Sequence, residues 1–374
     1  MSIRDGLIEA VEHLDAAKPG TSGSHEGPYL CPGFIDLQLN GFAGIDYSDP
    51  GIGTADIETV IRAVGASGTV RHFATVITGS RENMSKSCEA LARARRESPL
   101  ARTGIPGIHI EGPYISPHDG PRGAHDKKHV RNPDYEEYRE WQDAAEGAIR
   151  IVTVAPEAEG ALEFIARIAS EGVVAAIGHT AAPPETIRAA VAAGARLSTH
   201  LGNGSSSTVP RLKNFIWSQL AQDELCASII ADGFHLPDEV LKVFYRAKGL
   251  ERLILVSDAA FLAGSPPGLR SWGDISVEVH ADGHLSLAGT EFLAGAGHLL
   301  DRCIARFVKA TGVSLKEAVS LCTLNAAQLA NLGPEAIDFI PGSPACLAQF
   351  VHSPGAEALS IEACVIAGEA VYGG

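Results

Sequence analysis

The chain has 374 residues, 45% apolar and 20% charged, a globular composition that excludes a disordered chain and allows a large core. Its net charge of −15 lacks the basic footprint that a nucleic-acid or anionic-membrane partner requires. No apolar run reaches the roughly 18 residues of a membrane span, and the first residues, with Arg4, Asp5 and Glu9, hold no apolar signal core; the protein is expected to be soluble and cytoplasmic.

In chain order, the sequence opens strand-like at Leu7-Ile8-Glu9-Ala10-Val11 and turns Gly/Ser/Pro-rich over 18–28. Eight strand-like segments follow, at 34–40, 72–77, 105–111, 150–154, 173–179, 196–200, 228–232 and 253–258. Helix-length amphipathic stretches at 55–66, 81–95, 160–171, 184–193 and 237–247 separate most of them. Such alternation predicts parallel βα units. Eight units over roughly 230 residues fit a (β/α)8 barrel. A doubly wound open sheet is the alternative, and the GxGxxG turn it favours after an early strand is absent. A strand-like stretch at 273–287, with a hairpin turn at Asp282-Gly283, precedes helical stretches at 301–309 and 315–330. Residues 340–374 hold short strand-like runs split by Gly342, Gly355 and Gly368. The expected fold is therefore an α/β TIM barrel over 32–339, with a small β-sandwich domain built from 1–31 and 340–374. The seven cysteines are scattered, with no CxxC pair, and suggest neither a disulfide framework nor a zinc knuckle.

The polar residues that carry chemistry gather at strand ends. Side chains alternate along a strand, so Ile35, Leu37 and Leu39 share one face of 34–40, and Asp36, Gln38 and Asn40 the other. That polar face either points into the barrel or marks a solvated edge. His109 and Glu111 likewise share a face, and Glu111 stands just before a Gly-Pro break. His179, His200 and Asp258 each end a strand-like segment. Glu, His, His and Asp thus close strands three, five, six and eight, at the barrel end where active sites lie. Two imidazoles and a carboxylate suit a zinc-like catalytic ion with a position left for water. The aspartate is then free to carry a proton.

The segments PGFIDLQLNG (32–41), HIEGPYI (109–115), GAHD (123–126), IGHT (177–180), STHLGN (198–203), IIADGFH (229–235) and LVSDA (255–259) occur in an order that resembles the N-acetylglucosamine-6-phosphate deacetylases of the amidohydrolase superfamily. The resemblance runs through nearly the whole chain and implies the same barrel with a small β-sandwich domain. It implies that Glu111, His179 and His200 are metal ligands, that Asp258 is the catalytic acid/base, and that His125 contacts the substrate carbonyl. Ala124, Asn203, Gly204 and Leu293 fall at implied substrate contacts. Arg211 and His235 fall at implied phosphate contacts, in a site shared across a homodimer. The implied activity is hydrolysis of N-acetylglucosamine 6-phosphate to acetate and glucosamine 6-phosphate. The alternatives are another N-acyl amino sugar, such as N-acetylgalactosamine 6-phosphate, and a non-catalytic sugar-phosphate sensor.

Gln38 and Asn40 stand where many amidohydrolases carry His-x-His, and amides are poor ligands for zinc-like ions. Strand four ends in Val154-Ala155-Pro156, with no lysine for a bridging carbamate. One divalent ion per subunit is expected, zinc first, with iron, cobalt or manganese as the other occupants. Three departures from the family pattern stand out. The matching sequence starts late, so the small domain is expected to lack about two strands of the usual sandwich. The 287–295 segment differs, with Glu291 and Phe292 beside the substrate region. Arg122 is an additional charge in the 118–125 loop, either a second anion contact or a solvated residue.

Overall fold

The computed structural model describes residues 1–11, 28–273 and 275–373. Eight parallel strands follow one another in chain order around one sheet. They are β1 (Phe34–Leu39), β2 (Thr69–Ile77), β3 (Ile108–Glu111), β4 (Ile149–Val154), β5 (Val174–Ile177), β6 (Leu197–Ser198), β7 (Cys226–Ile229) and β8 (Leu253–Leu255). The seam between β8 and β1 closes where Asp258 N–H donates to the Gln38 carbonyl and Asn40 N–H to the Ala259 carbonyl, both at 3.0 Å. Both faces of β1 are buried, so it is no solvated edge. The expected alternation of faces nevertheless fails: Ile35 and Leu37 pack with the inward side chains of the other strands, and the register shifts between Asp36 and Leu39, after which Gln38 reaches Glu111 from the interior.

The five expected helices form within a few residues of their anticipated bounds, for example Arg81–Glu97, which Ser80 caps by accepting from Asn83 N–H. Tyr135–Ala144 and Phe215–Leu220 are further helices that the periodicity did not single out. The single helical stretch expected at 315–330 is instead two helices, Leu315–Ser320 and Leu324–Leu329. The break has a physical reason. It turns the Leu321 and Cys322 carbonyls onto the barrel floor, where they accept from Leu255 N–H at 3.3 Å and Ile35 N–H at 2.7 Å.

Both chain ends contribute to one β region. Tyr29–Cys31, Leu347–Val351, Ser360–Ile366 and Glu369–Tyr372 form a four-stranded antiparallel sheet. The hairpin Ser2–Arg4 with Leu7–Ala10 is tied to it through Ile8 N–H to the Ser343 carbonyl at 2.9 Å and Gly342 N–H to the Ile8 carbonyl at 2.8 Å. Gly65 lets this region approach the barrel, because a Cβ there would lie 2.6 Å from the Val371 side chain. The Gly/Ser/Pro-rich stretch expected at 18–28 lies, apart from Pro28, outside the described residues.

The strand-like stretch after β8 forms a three-stranded antiparallel sheet rather than a simple hairpin: Gly268–Trp272, Ile275–Val279 and Leu285–Leu287. Its turn falls at the expected Asp282-Gly283, where Gly283 has a φ of +90°. No helix among the described residues is long and apolar enough to cross a membrane.

Candidate active site

Glu111 ends β3 with its side chain buried, and two imidazoles converge on it. Its Oε1 lies 2.9 Å from His200 Nε2 and 3.2 Å from His179 Nε2, and the two Nε2 atoms are 3.2 Å apart. His179 Nδ1 donates to the Pro121 carbonyl at 2.8 Å, which leaves a lone pair on Nε2. Two ring nitrogens and a carboxylate oxygen so close together are a donor set suited to a divalent ion. Among the described residues this is the one group of three such side chains whose ligand atoms all lie within 4.8 Å of one another. Burial works against charge on Glu111, yet the adjoining His179 and His200 hold its carboxyl well below the usual range.

The backbone at these positions is unusual. His179, His200 and Asp258 have φ values of +51°, +30° and +50°. A left-handed non-glycine residue costs about 1–3 kcal/mol and persists only where the surroundings enforce it. The strands expected to reach these residues stop short of them, at Ile177, Ser198 and Leu255.

Asp258 Oδ1 accepts from Asn40 Nδ2 at 2.8 Å. Burial, followed by the neighbouring Glu111 charge, pushes its carboxyl up to about 6. His125 Nδ1 lies 2.8 Å from the Thr78 hydroxyl, and its Nε2 is 3.8 Å from Glu111. Burial and the nearby His179 lower the His125 pKa to about 3, so its ring is neutral. A cavity of about 240 Å³ opens onto Glu111, His125, His179, His200 and Asp258. Ala124, Asn203, Gly204, His235 and Leu293 line the same cavity.

The sequence pattern of the Amidohydrolase family matches residues 29–370. The chain belongs to the amidohydrolase family. The N-acetylglucosamine-6-phosphate deacetylase of Bacillus subtilis (strain 168) is 33% identical over 336 residues, covering 88% of this chain and 82% of the relative. The N-acetylgalactosamine-6-phosphate deacetylase of Escherichia coli O157:H7 is 28% identical, covering 88% of this chain and 84% of the relative. The crystal structure of N-acetyl-D-glucosamine-6-phosphate deacetylase from Mycobacterium smegmatis matches with a TM-score of 0.84 at 30% identity, covering 99% of this chain and 94% of that one.

In this amidohydrolase the remaining anticipated residues divide. His235 reaches the cavity with its Nδ1 2.8 Å from Asp232 Oδ2, and Asp232 Oδ1 also accepts from the His235 and Phe234 N–H groups. Arg211 does not line the cavity and is exposed on the loop before the helix Phe215–Leu220. Arg122 pairs with Asp119 at 2.6 Å and donates to the His125 carbonyl at 2.6 Å, so it braces the loop that carries His125. His109 stays beneath the site, held by the Leu37 carbonyl at 3.1 Å and the Thr153 hydroxyl at 2.8 Å.

Sequence reasoning missed three contributors. Trp272 walls the cavity, and no sequence signal placed its strand over the mouth. Gly123 lies against His179, where a Cβ would come within 3.2 Å of the ring; its place in the GAHD segment was the available signal. Asp232 braces His235 and was legible only as the acid of the ADGFH turn.

Proposed function

We propose that this amidohydrolase removes the acetyl group from N-acetylglucosamine 6-phosphate, giving acetate and glucosamine 6-phosphate. The observation that carries the reading is one cavity that gathers Glu111, His179 and His200 beside Asp258, His125 and His235. Glu111, His179 and His200 hold one divalent ion, zinc by preference, with iron, cobalt and manganese as the other candidates for such donors. When bound, that ion lowers the pKa of a coordinated water and polarises a carbonyl oxygen.

The chain's own groups do the rest. Asp258 takes a proton from the attacking water through its free Oδ2. With Thr78 donating to Nδ1, His125 presents Nε2–H to the carbonyl oxygen as negative charge builds there. Asp258 then passes its proton to the amine nitrogen as the C–N bond breaks. His235, braced by Asp232, and the partner subunit's Arg211 hold the phosphate by charge-assisted hydrogen bonds. The protein acts as a cytoplasmic homodimer, each copy a barrel over 32–339 with a small β domain from 1–31 and 340–374.

A second reading, N-acetylgalactosamine 6-phosphate as the preferred substrate, is favoured by one observation: Leu293, from the divergent 287–295 segment, lines the cavity. Acetate release from both sugar phosphates and from unphosphorylated N-acetylglucosamine separates the readings. It is measured on protein as isolated, after chelation, and after adding back zinc or iron. Metal-dependent release from N-acetylglucosamine 6-phosphate above the others is expected. Faster release from the galactosamine compound favours the second reading, and no release from either rejects both.

A further inference from the structure

We infer that Asn40 is a positioning residue for the proton carrier: it commits one oxygen of Asp258, so that the other alone meets the water. The inference rests on the reading of Asp258 given above. Asn40 Nδ2 lies 2.8 Å from Asp258 Oδ1 and 3.4 Å from the Asp258 and Ala259 carbonyls. All three neighbours are acceptors, which decides the amide's orientation: its NH2 group faces Asp258 and its oxygen cannot. Oδ2 of Asp258 has no hydrogen-bond partner among the described residues.

The same strand fixes the backbone around this contact. Asp258 N–H donates to the Gln38 carbonyl at 3.0 Å. One residue earlier, Ser257 N–H donates to Asp36 Oδ1 at 3.2 Å, and the Ser257 hydroxyl donates to Asp36 Oδ2. Asp36, the Gln38 carbonyl and Asn40 thus hold the adjacent residues Ser257 and Asp258. The strand that lacks the His-x-His pair also serves the other carboxylate, because Gln38 Nε2 donates to Glu111 Oε1 at 2.7 Å. Each amide of the strand holds one acidic group of the site. Without the Asn40 donor, rotation of the Asp258 carboxylate would no longer be restrained, and either oxygen could face the water.

The test is a double-mutant cycle with Asn40→Ala, Asp258→Asn and the combined variant, on metal-loaded protein with N-acetylglucosamine 6-phosphate. Asn40→Ala is expected to lower kcat by about 100-fold, the scale of a misplaced catalytic group. KM is expected to stay within about twofold, and bound metal per chain, read by inductively coupled plasma mass spectrometry, to match wild type. In the Asp258→Asn background the Asn40 change should cost nothing further, because a residue acting through Asp258 has nothing left to position. An equal loss in both backgrounds overturns the inference, as does a raised KM with unchanged kcat, which marks a substrate contact. Asn40→Leu keeps the branched shape without the donor and takes the place of the alanine variant if that one melts early. Wild-type kcat in the Asn40 variants rejects the positioning role and leaves the proposed function standing; no deacetylation by wild type rejects both.

Discussion

The cavity has two walls built in different ways. One is carried by strand ends: Glu111, His179, His200 and Asp258, with Gln38 and Asn40 behind them. The other is carried by loops and the added sheet: Ala124, His125, Asn203, Gly204, Trp272 and Leu293. On the strand wall, side chains bond to one another and the backbone is held in left-handed turns at three positions. The barrel ladder enforces that strain, so reacting groups can sit at fixed distances. The loop wall hangs from connections that can change sequence without unseating a strand. The metal ligands and the proton carrier therefore fall on one wall, while the other adds His125 to the groups that select substrate. Each wall should fail in its own way.

The strand wall should give the largest effect. Asp258→Asn is expected to keep its metal and lose about 10²–10⁴ in kcat, the range of a general acid/base. Acetate release together with metal analysis checks this, and near wild-type turnover would remove Asp258 as the proton carrier. The phosphate contact comes next. Arg211→Ala should raise KM for the phosphorylated sugar about 10–100-fold, as for a lost hydrogen bond to a charged group, and change the unphosphorylated sugar little. Equal effects on the two sugars would break the assignment of Arg211 to phosphate. Trp272→Ala should act through selection rather than chemistry. Its kcat should stay near wild type, while the ratio of kcat/KM between the glucosamine and galactosamine compounds moves by about 10-fold, the scale of one altered apolar contact. A drop in kcat with an unchanged ratio would place Trp272 with the strand wall instead.

The two walls were also unequally legible in the sequence. Each strand-wall residue stands at the end of an apolar run, and the βα alternation fixes where such ends meet, so Glu111, His179, His200 and Asp258 could be grouped before any coordinates. Their left-handed backbone could not be read, because nothing in the side chains of histidine or aspartate demands it; the surrounding barrel imposes it. Trp272 escaped notice because its position depends on a three-stranded sheet folding back over the mouth, a long-range event that local pattern does not encode. Arg211 shows the opposite limit. Its motif was legible, yet within one chain it stays exposed and apart from the cavity. The helix break at 321–323 is set by two strand N–H groups that need carbonyl partners, a requirement distant in sequence from the break itself.

The smallest expected effect lies away from both walls, on the helix-facing side of β2, and concerns stability alone. His72 on β2 is buried, with Nε2 2.7 Å from the Tyr47 hydroxyl. Burial lowers its pKa from 6.5 to about 3. Between those values the unfolded chain carries a proton on this ring and the folded one does not. The unfolded state therefore binds more protons, so the His72 contribution is complete above pH 6.5 and is lost as pH falls towards 3. His298, pushed to about 4 by burial, loses its contribution in an overlapping range. His72→Gln keeps a polar partner for Tyr47 but cannot titrate. It should reduce the slope of unfolding free energy against pH by up to about 1.4 kcal/mol per pH unit within that window. Denaturant titrations at successive pH values read the slope, and acetate release at neutral pH should stay near wild type. An unchanged slope would mean that the buried imidazole already titrates near its unfolded value.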